Sequence, residues 1–103
     1  MEFGDLVERA RAVRRRYAEL EQTRYGREWS TEELTLGLVK DVGDLAALVQ
    51  ANEGVREIQD AETDLAHELA DCLWSLIVLA DRYGVDLEQA FVETMDGLET
   101  RLA

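Results

Sequence analysis

Proline is absent from this 103-residue chain, and cysteine and histidine occur once each. Without proline nothing forces a kink, so long uninterrupted helices are the natural outcome. A lone cysteine, Cys72, excludes an intrachain disulfide. It lies in an apolar run and reads as a small core residue. A lone histidine, His67, excludes a zinc site that needs two imidazoles, whether His-Glu-x-x-His or the Glu-x-x-His pairs of di-iron bundles. Cys72 and His67 form no plausible catalytic dyad. No glycine-rich phosphate loop is present. No stretch of 18 apolar residues occurs, so no membrane span is expected. The opening segment MEFGDLVERARAVRRRY lacks an apolar core, so no signal peptide is expected and a cytoplasmic location is the default.

Positive charge is also scarce. Eleven Lys and Arg face 23 acids, a net charge of −12, which argues against a nucleic-acid partner. The balance is uneven. Residues 1–29 carry seven arginines against six acids, whereas residues 30–103 carry four cations against seventeen acids. The run Arg14-Arg15-Arg16 reads as a solvated helix face, with phosphate contact as the alternative.

What is present is apolar periodicity. The hydrophobic fraction of 47% is ample for a core, and the length fits one domain over residues 1–103. Phe3, Leu6, Val7, Ala10, Val13, Tyr17 and Leu20 recur at helical spacing, predicting a helix over about 4–22. Ser30-Thr31-Glu32-Glu33 is a capping box for a second helix reaching about Gln50, and Trp29 with Leu34 fits its hydrophobic staple. A third helix begins within 57–63 and ends at Tyr83, where Gly84 suits a left-handed cap. Asp86 caps a fourth, with Leu87, Ala90, Phe91, Met95 and Leu98 on its stripe. No strand, repeat or low-complexity tract is visible. The fold class is all-α, a four-helix bundle-like protomer. The segment from Leu65 to Ala80 is apolar nearly all round, so it should be central. Three narrow stripes do not suffice to cover it. Trp74, Ile77, Phe91 and Met95 should stay partly exposed in an isolated protomer, and a homodimer or tetramer is expected.

Two acid pairs interrupt the apolar stretches: Asp41-x-x-Asp44 and Glu68-x-x-Asp71. Spacing alone is weak evidence, because such a composition gives roughly five i,i+3 acid pairs by chance. Context separates these two. Each sits within an apolar helical segment, where an unpartnered carboxylate is costly. Each pair shares one helix face, and two helices about 8–10 Å apart could bring four carboxylates to one point. Oxygen-rich sites suit Mg²⁺ or Mn²⁺ and, through the metal, phosphates. Gly37 and Gly43 lie inside the second helix at a cost of up to about 1 kcal/mol each, which suggests close helix or ligand approach there.

Thr31-Glu-Glu-Leu, Leu36-Gly-Leu-Val-Lys-Asp-Val-Gly-Asp-Leu45, Glu68-Leu-Ala-Asp-Cys-Leu-Trp74 and Leu79-Ala-Asp-Arg-Tyr-Gly-Val-Asp-Leu87 together resemble the MazG-like nucleotide pyrophosphohydrolases of the all-α NTP pyrophosphatase superfamily. The likeness covers about residues 25–100. It implies a Mg²⁺-dependent enzyme (Mn²⁺ as an alternative) that cleaves a nucleoside triphosphate to the monophosphate and pyrophosphate, in a house-cleaning role. The implied metal ligands are Asp41, Asp44, Glu68 and Asp71, with Glu68 chosen as catalytic base for its longer reach. Candidate substrate contacts are Trp29, Lys40 and Arg101. Trp29 could stack on a base or serve only as the staple. Two departures stand out. The family's first pair is usually Glu-x-x-Glu, and the Lys and Asn that many relatives carry on the last helix match Thr94 and Leu98. The second, at Thr94 and Leu98, motivates an alternative, a non-catalytic helical oligomer acting as a binding or regulatory module.

Overall fold

The computed structural model describes all 103 residues and contains four helices and no strand: α1 (Phe3–Tyr25), α2 (Thr31–Asn52), α3 (Ala61–Arg82) and α4 (Leu87–Leu102). Local chemistry sets several of the boundaries. The α1 helix ends where Gly26 turns left-handed (φ 76°) and its N–H donates to the Gln22 carbonyl at 2.9 Å. The α2 helix opens on the expected capping box. The Glu33 N–H donates to Ser30 Oγ at 3.2 Å, and the Ser30 N–H donates to Glu33 Oε1 at 2.9 Å. The α3 helix ends before Gly84, also left-handed, and the Asp86 carboxylate accepts from the Gln89 N–H at 3.0 Å to start α4.

The second and third helices form an antiparallel hairpin. At one end Asn52 Nδ2 donates both to the Leu48 carbonyl and to the Ala61 carbonyl, at 2.8 and 3.1 Å. At the other, an Arg82 guanidinium nitrogen meets Thr31 Oγ1 at 3.4 Å. The α1 helix lies against α3. The Trp74 indole N–H donates to the Ala10 carbonyl at 3.1 Å, its ring tilts against Tyr17 at 5.7 Å, and Arg11 pairs with Asp81 at 2.7 Å. The buried apolar side chains are Ala10, Leu48, Cys72, Ile77 and Val78. Full burial of a residue such as Ile77 contributes about 1.5–3 kcal/mol.

The central place expected for α3 is borne out in that both α1 and α2 pack on it. The exposure expected of Ile77 is not: α1 covers it, leaving 4% accessible. Phe91, at 62% exposed, does stand open. The fourth helix buries none of its residues, because its stripe meets no facing helix within the protomer. The result is extended: the radius of gyration is 16.4 Å, against about 13 Å for a compact domain of this length. No helix is long and apolar enough to cross a membrane.

Candidate metal centre

The hairpin brings three of the four expected acids together. Asp41 and Asp44 lie one turn apart on α2, Glu68 faces them from α3, and one carboxylate oxygen from each falls within 4.8 Å of the others. The mutual approach follows from register. An antiparallel hairpin closed at Asn52 and Ala61 places the middle of one helix opposite the middle of the other. Asp71, one turn beyond Glu68, lies outside this tight group. Its carboxylate lies 3.3 Å from His67 Nε2, one turn back on the same helix.

The electrostatics are those of crowded negative charge. The Glu68 carboxyl is held above its ordinary value, first by burial and then by the charges of Asp41, Asp71 and Asp44. The Cys72 thiol is pushed up by burial and by Asp41, Glu68 and Asp71, which disfavours its reactive thiolate form. One cation has already been drawn in. Lys40 Nζ donates to Asp44 at 2.8 Å, and that bond raises the ammonium above its usual value. Three converging oxygen donors, with Lys40 paired to one of them, fit a hard divalent ion in donor chemistry.

Two cavities flank the acids. A groove of about 350 Å³ runs from Asp41 and Lys40 along Trp29, Tyr17 and Trp74, with Arg14 at its side. That volume falls in the range of small-molecule sites. A second cavity, about 370 Å³, borders Asp44 and Glu68 from the other side and is lined by Asp64, His67 and Ile58. A further cavity, about 410 Å³, lies between Phe3, Ile77 and Leu87, away from the three converging acids.

The remaining sequence candidates divide. Trp29 and Lys40 reach the groove beside Asp41. Arg101, exposed near the end of α4, lines neither cavity that borders the acids. Close helix approach does not explain the helix-interior glycines: a Cβ at Gly37 or Gly43 would meet open space, and Gly37 instead lines the groove. The arginine run also needs correction. Arg15 and Arg16 are solvated, but Arg14 is buried and ion-paired with Glu21. Sequence reasoning missed this pair and the whole contribution of α1 to the groove. A signal existed, since Ala10, Arg14 and Glu21 fall on one helical face.

The family model of the MazG nucleotide pyrophosphohydrolase domain matches residues 29–102. No curated protein and no solved structure matches the chain.

Proposed function

Since the chain belongs to the MazG nucleotide pyrophosphohydrolase domain family, we propose that it is a metal-dependent nucleoside triphosphate pyrophosphohydrolase, releasing pyrophosphate and a nucleoside monophosphate. The observation that carries this reading is the convergence of Asp41, Asp44 and Glu68 beside a groove walled by aromatic rings. Asp41, Asp44 and Glu68 would hold Mg²⁺ or Mn²⁺, with Asp71 as a fourth ligand released from His67. Bound there, the ion neutralises phosphate charge and lowers the pKa of water. Glu68 serves as the base. Its side chain, one methylene longer than those of the aspartates, gives it the reach to take a proton from a water poised on the α-phosphorus. The new P–O bond forms at the α-phosphorus as the bridge to the β-phosphate breaks, and pyrophosphate leaves with the electron pair. Lys40 exchanges Asp44 for a phosphate oxygen, and Trp29 stacks on the base in the groove. The lone, buried Cys72 is in keeping with a cytoplasmic setting.

Self-association belongs to the same reading. Leu69, Leu73 and Leu76 on α3 and Phe91, Val92 and Leu98 on α4 are all exposed in the protomer. A face of that kind supports a homodimer, or a dimer of dimers. Arg101 then reaches nucleotide only if association carries α4 to a site.

The competing reading is a non-catalytic oligomer of the same fold. Thr94 and Leu98, where many relatives carry Lys and Asn, favour it. Pyrophosphate release from a panel of NTPs and dNTPs with Mg²⁺ or Mn²⁺ decides between them. Turnover that disappears in Glu68→Gln supports the enzyme; no release from any nucleotide with either metal refutes it.

A further inference from the structure

The turn between α1 and α2 is held by two carboxylates, one from each helix. The consecutive N–H groups of Trp29 and Ser30 are split between them. Trp29 N–H donates to Glu21 Oε1 of α1 at 2.8 Å, and Ser30 N–H donates to Glu33 Oε1 of α2 at 2.9 Å. On the α2 side Arg27 closes the turn with two bonds to Glu33, at 2.6 and 3.0 Å, all near solvent.

The α1 side is different. Glu21 is 7% exposed and Arg14 9%. They pair with each other through Nη2 and Oε1, and Arg14 Nε is enclosed with no partner. A buried ion pair with an orphaned donor is a poor way to gain stability. Apolar side chains of the same volume are often as good or better. Stability alone therefore does not account for Arg14 and Glu21 in this place. What the pair does achieve is to fix one oxygen, and that oxygen holds the main chain of Trp29. Trp29 in turn forms the groove wall with Tyr17 and Trp74, next to Asp41.

We infer that Arg14 and Glu21 are positioning residues for the nucleotide: Arg14 orients the Glu21 carboxylate, Glu21 pins the Trp29 backbone, and the indole is thereby set as the wall on which the base stacks. This rests on the proposal that the groove takes a nucleotide. Arg14 and Glu21 also line the groove, but the role assigned to them runs through the main chain of Trp29, which is why the double variant with Trp29 is part of the test.

The test combines amide exchange at Trp29, followed by NMR, with steady-state kinetics on a cleaved nucleotide. In Glu21→Ala the Trp29 amide exchanges much faster, KM rises about tenfold, as loss of one aromatic–base stack does, and kcat changes less. Mn²⁺ still raises the melting temperature, because the acids on α2 and α3 are untouched. Glu21→Gln keeps an acceptor oxygen and restores most of the affinity. Trp29→Ala raises KM to the same degree, and the double variant is no worse than either alone, since both changes remove one interaction. If Glu21→Ala does not fold because Arg14 is left unpaired, Arg14→Met/Glu21→Leu removes both charges together and carries the same expectations. Unchanged exchange at Trp29 overturns the positioning role, and so do KM effects that multiply in the double variant. A wild-type chain that neither binds nor cleaves any nucleotide sinks the reading of the groove itself, an outcome distinct from the exchange result.

Discussion

Glu68→Gln should make the metal-free protein more stable while removing its response to metal. The carboxylate oxygens of Asp41, Asp44 and Glu68 lie within 4.8 Å of one another. At that separation two unit charges repel by roughly 1 kcal/mol in water and about 3.5 kcal/mol at the dielectric of a protein surface. Glu68 is only half-buried, and Lys40 offsets part of the charge on Asp44 at 2.8 Å, so the lower figure applies. Relief of about 1 kcal/mol corresponds to a rise of about 4–8 °C in melting temperature for a domain of this size. The raised proton affinity of Glu68 points the same way, because burial and neighbouring acids both disfavour its charged form. Thermal melts in chelator and in millimolar Mn²⁺ measure both halves. The wild-type chain should gain stability with Mn²⁺, since an ion that binds only the folded state stabilises it by mass action. The variant should start higher and gain little. A variant that melts lower than wild type in chelator would show that the acids are held by favourable contacts rather than crowded, and the argument for a cation site would fail with it.

Asp71→Asn should weaken the Mn²⁺ response less than Glu68→Gln does, because Asp71 faces His67 rather than the three converging acids; parallel melts rank the two. Glu33 is held down to about 2 by its bond from Arg27, aided by the Ser30 N–H. A depressed carboxyl contributes stability above its unfolded value near 4.5, and that contribution fades as pH falls from there through about 2. Glu33→Gln should therefore lower the melting temperature at pH 7, with a gap to wild type that closes between pH 4.5 and 2. Light scattering at micromolar concentration should give two or four times the 11.7 kDa protomer mass. Phe91→Glu should shift that mass towards the monomer, since the ring is 62% exposed and contributes little to the protomer core.

Helix number and helix ends were legible because their causes are local. The Ser30–Glu33 box, the Asp86 cap and the left-handed Gly84 are read from adjacent residues, and each acts as read. The pairing of α2 with α3 is expected from their apolar faces and matching acid pairs, even though residues 53–60 between them form the longest connection in the chain. The seat of α1 was less legible. Its stripe says that it packs, not on what. Only the structure shows that it covers Ile77 and accepts the Trp74 indole N–H at Ala10.

The same limit divides the site. Acids at i,i+3 share a face by helix geometry, so Asp41 and Asp44 were predictable as a unit, and the hairpin register added Glu68. Asp71 has the same spacing from Glu68, yet it faces His67 at i−4, a competing neighbour on its own helix. The aromatic groove could not be read at all, because its walls come from α1, the turn at Trp29 and α3. Arg14 and Glu21 show why. Charges on a helix are ordinarily solvated, and the sequence reading places Arg14 with Arg15 and Arg16 on a solvated face. Here α1 lies on α3, the pair is enclosed, and Glu21 turns back to hold the residue that opens the groove. Local chemistry fixes where most of the helices start and stop; the shared face of Ala10, Arg14 and Glu21 was visible in sequence, but that this face is the enclosed one depends on the docking of α1.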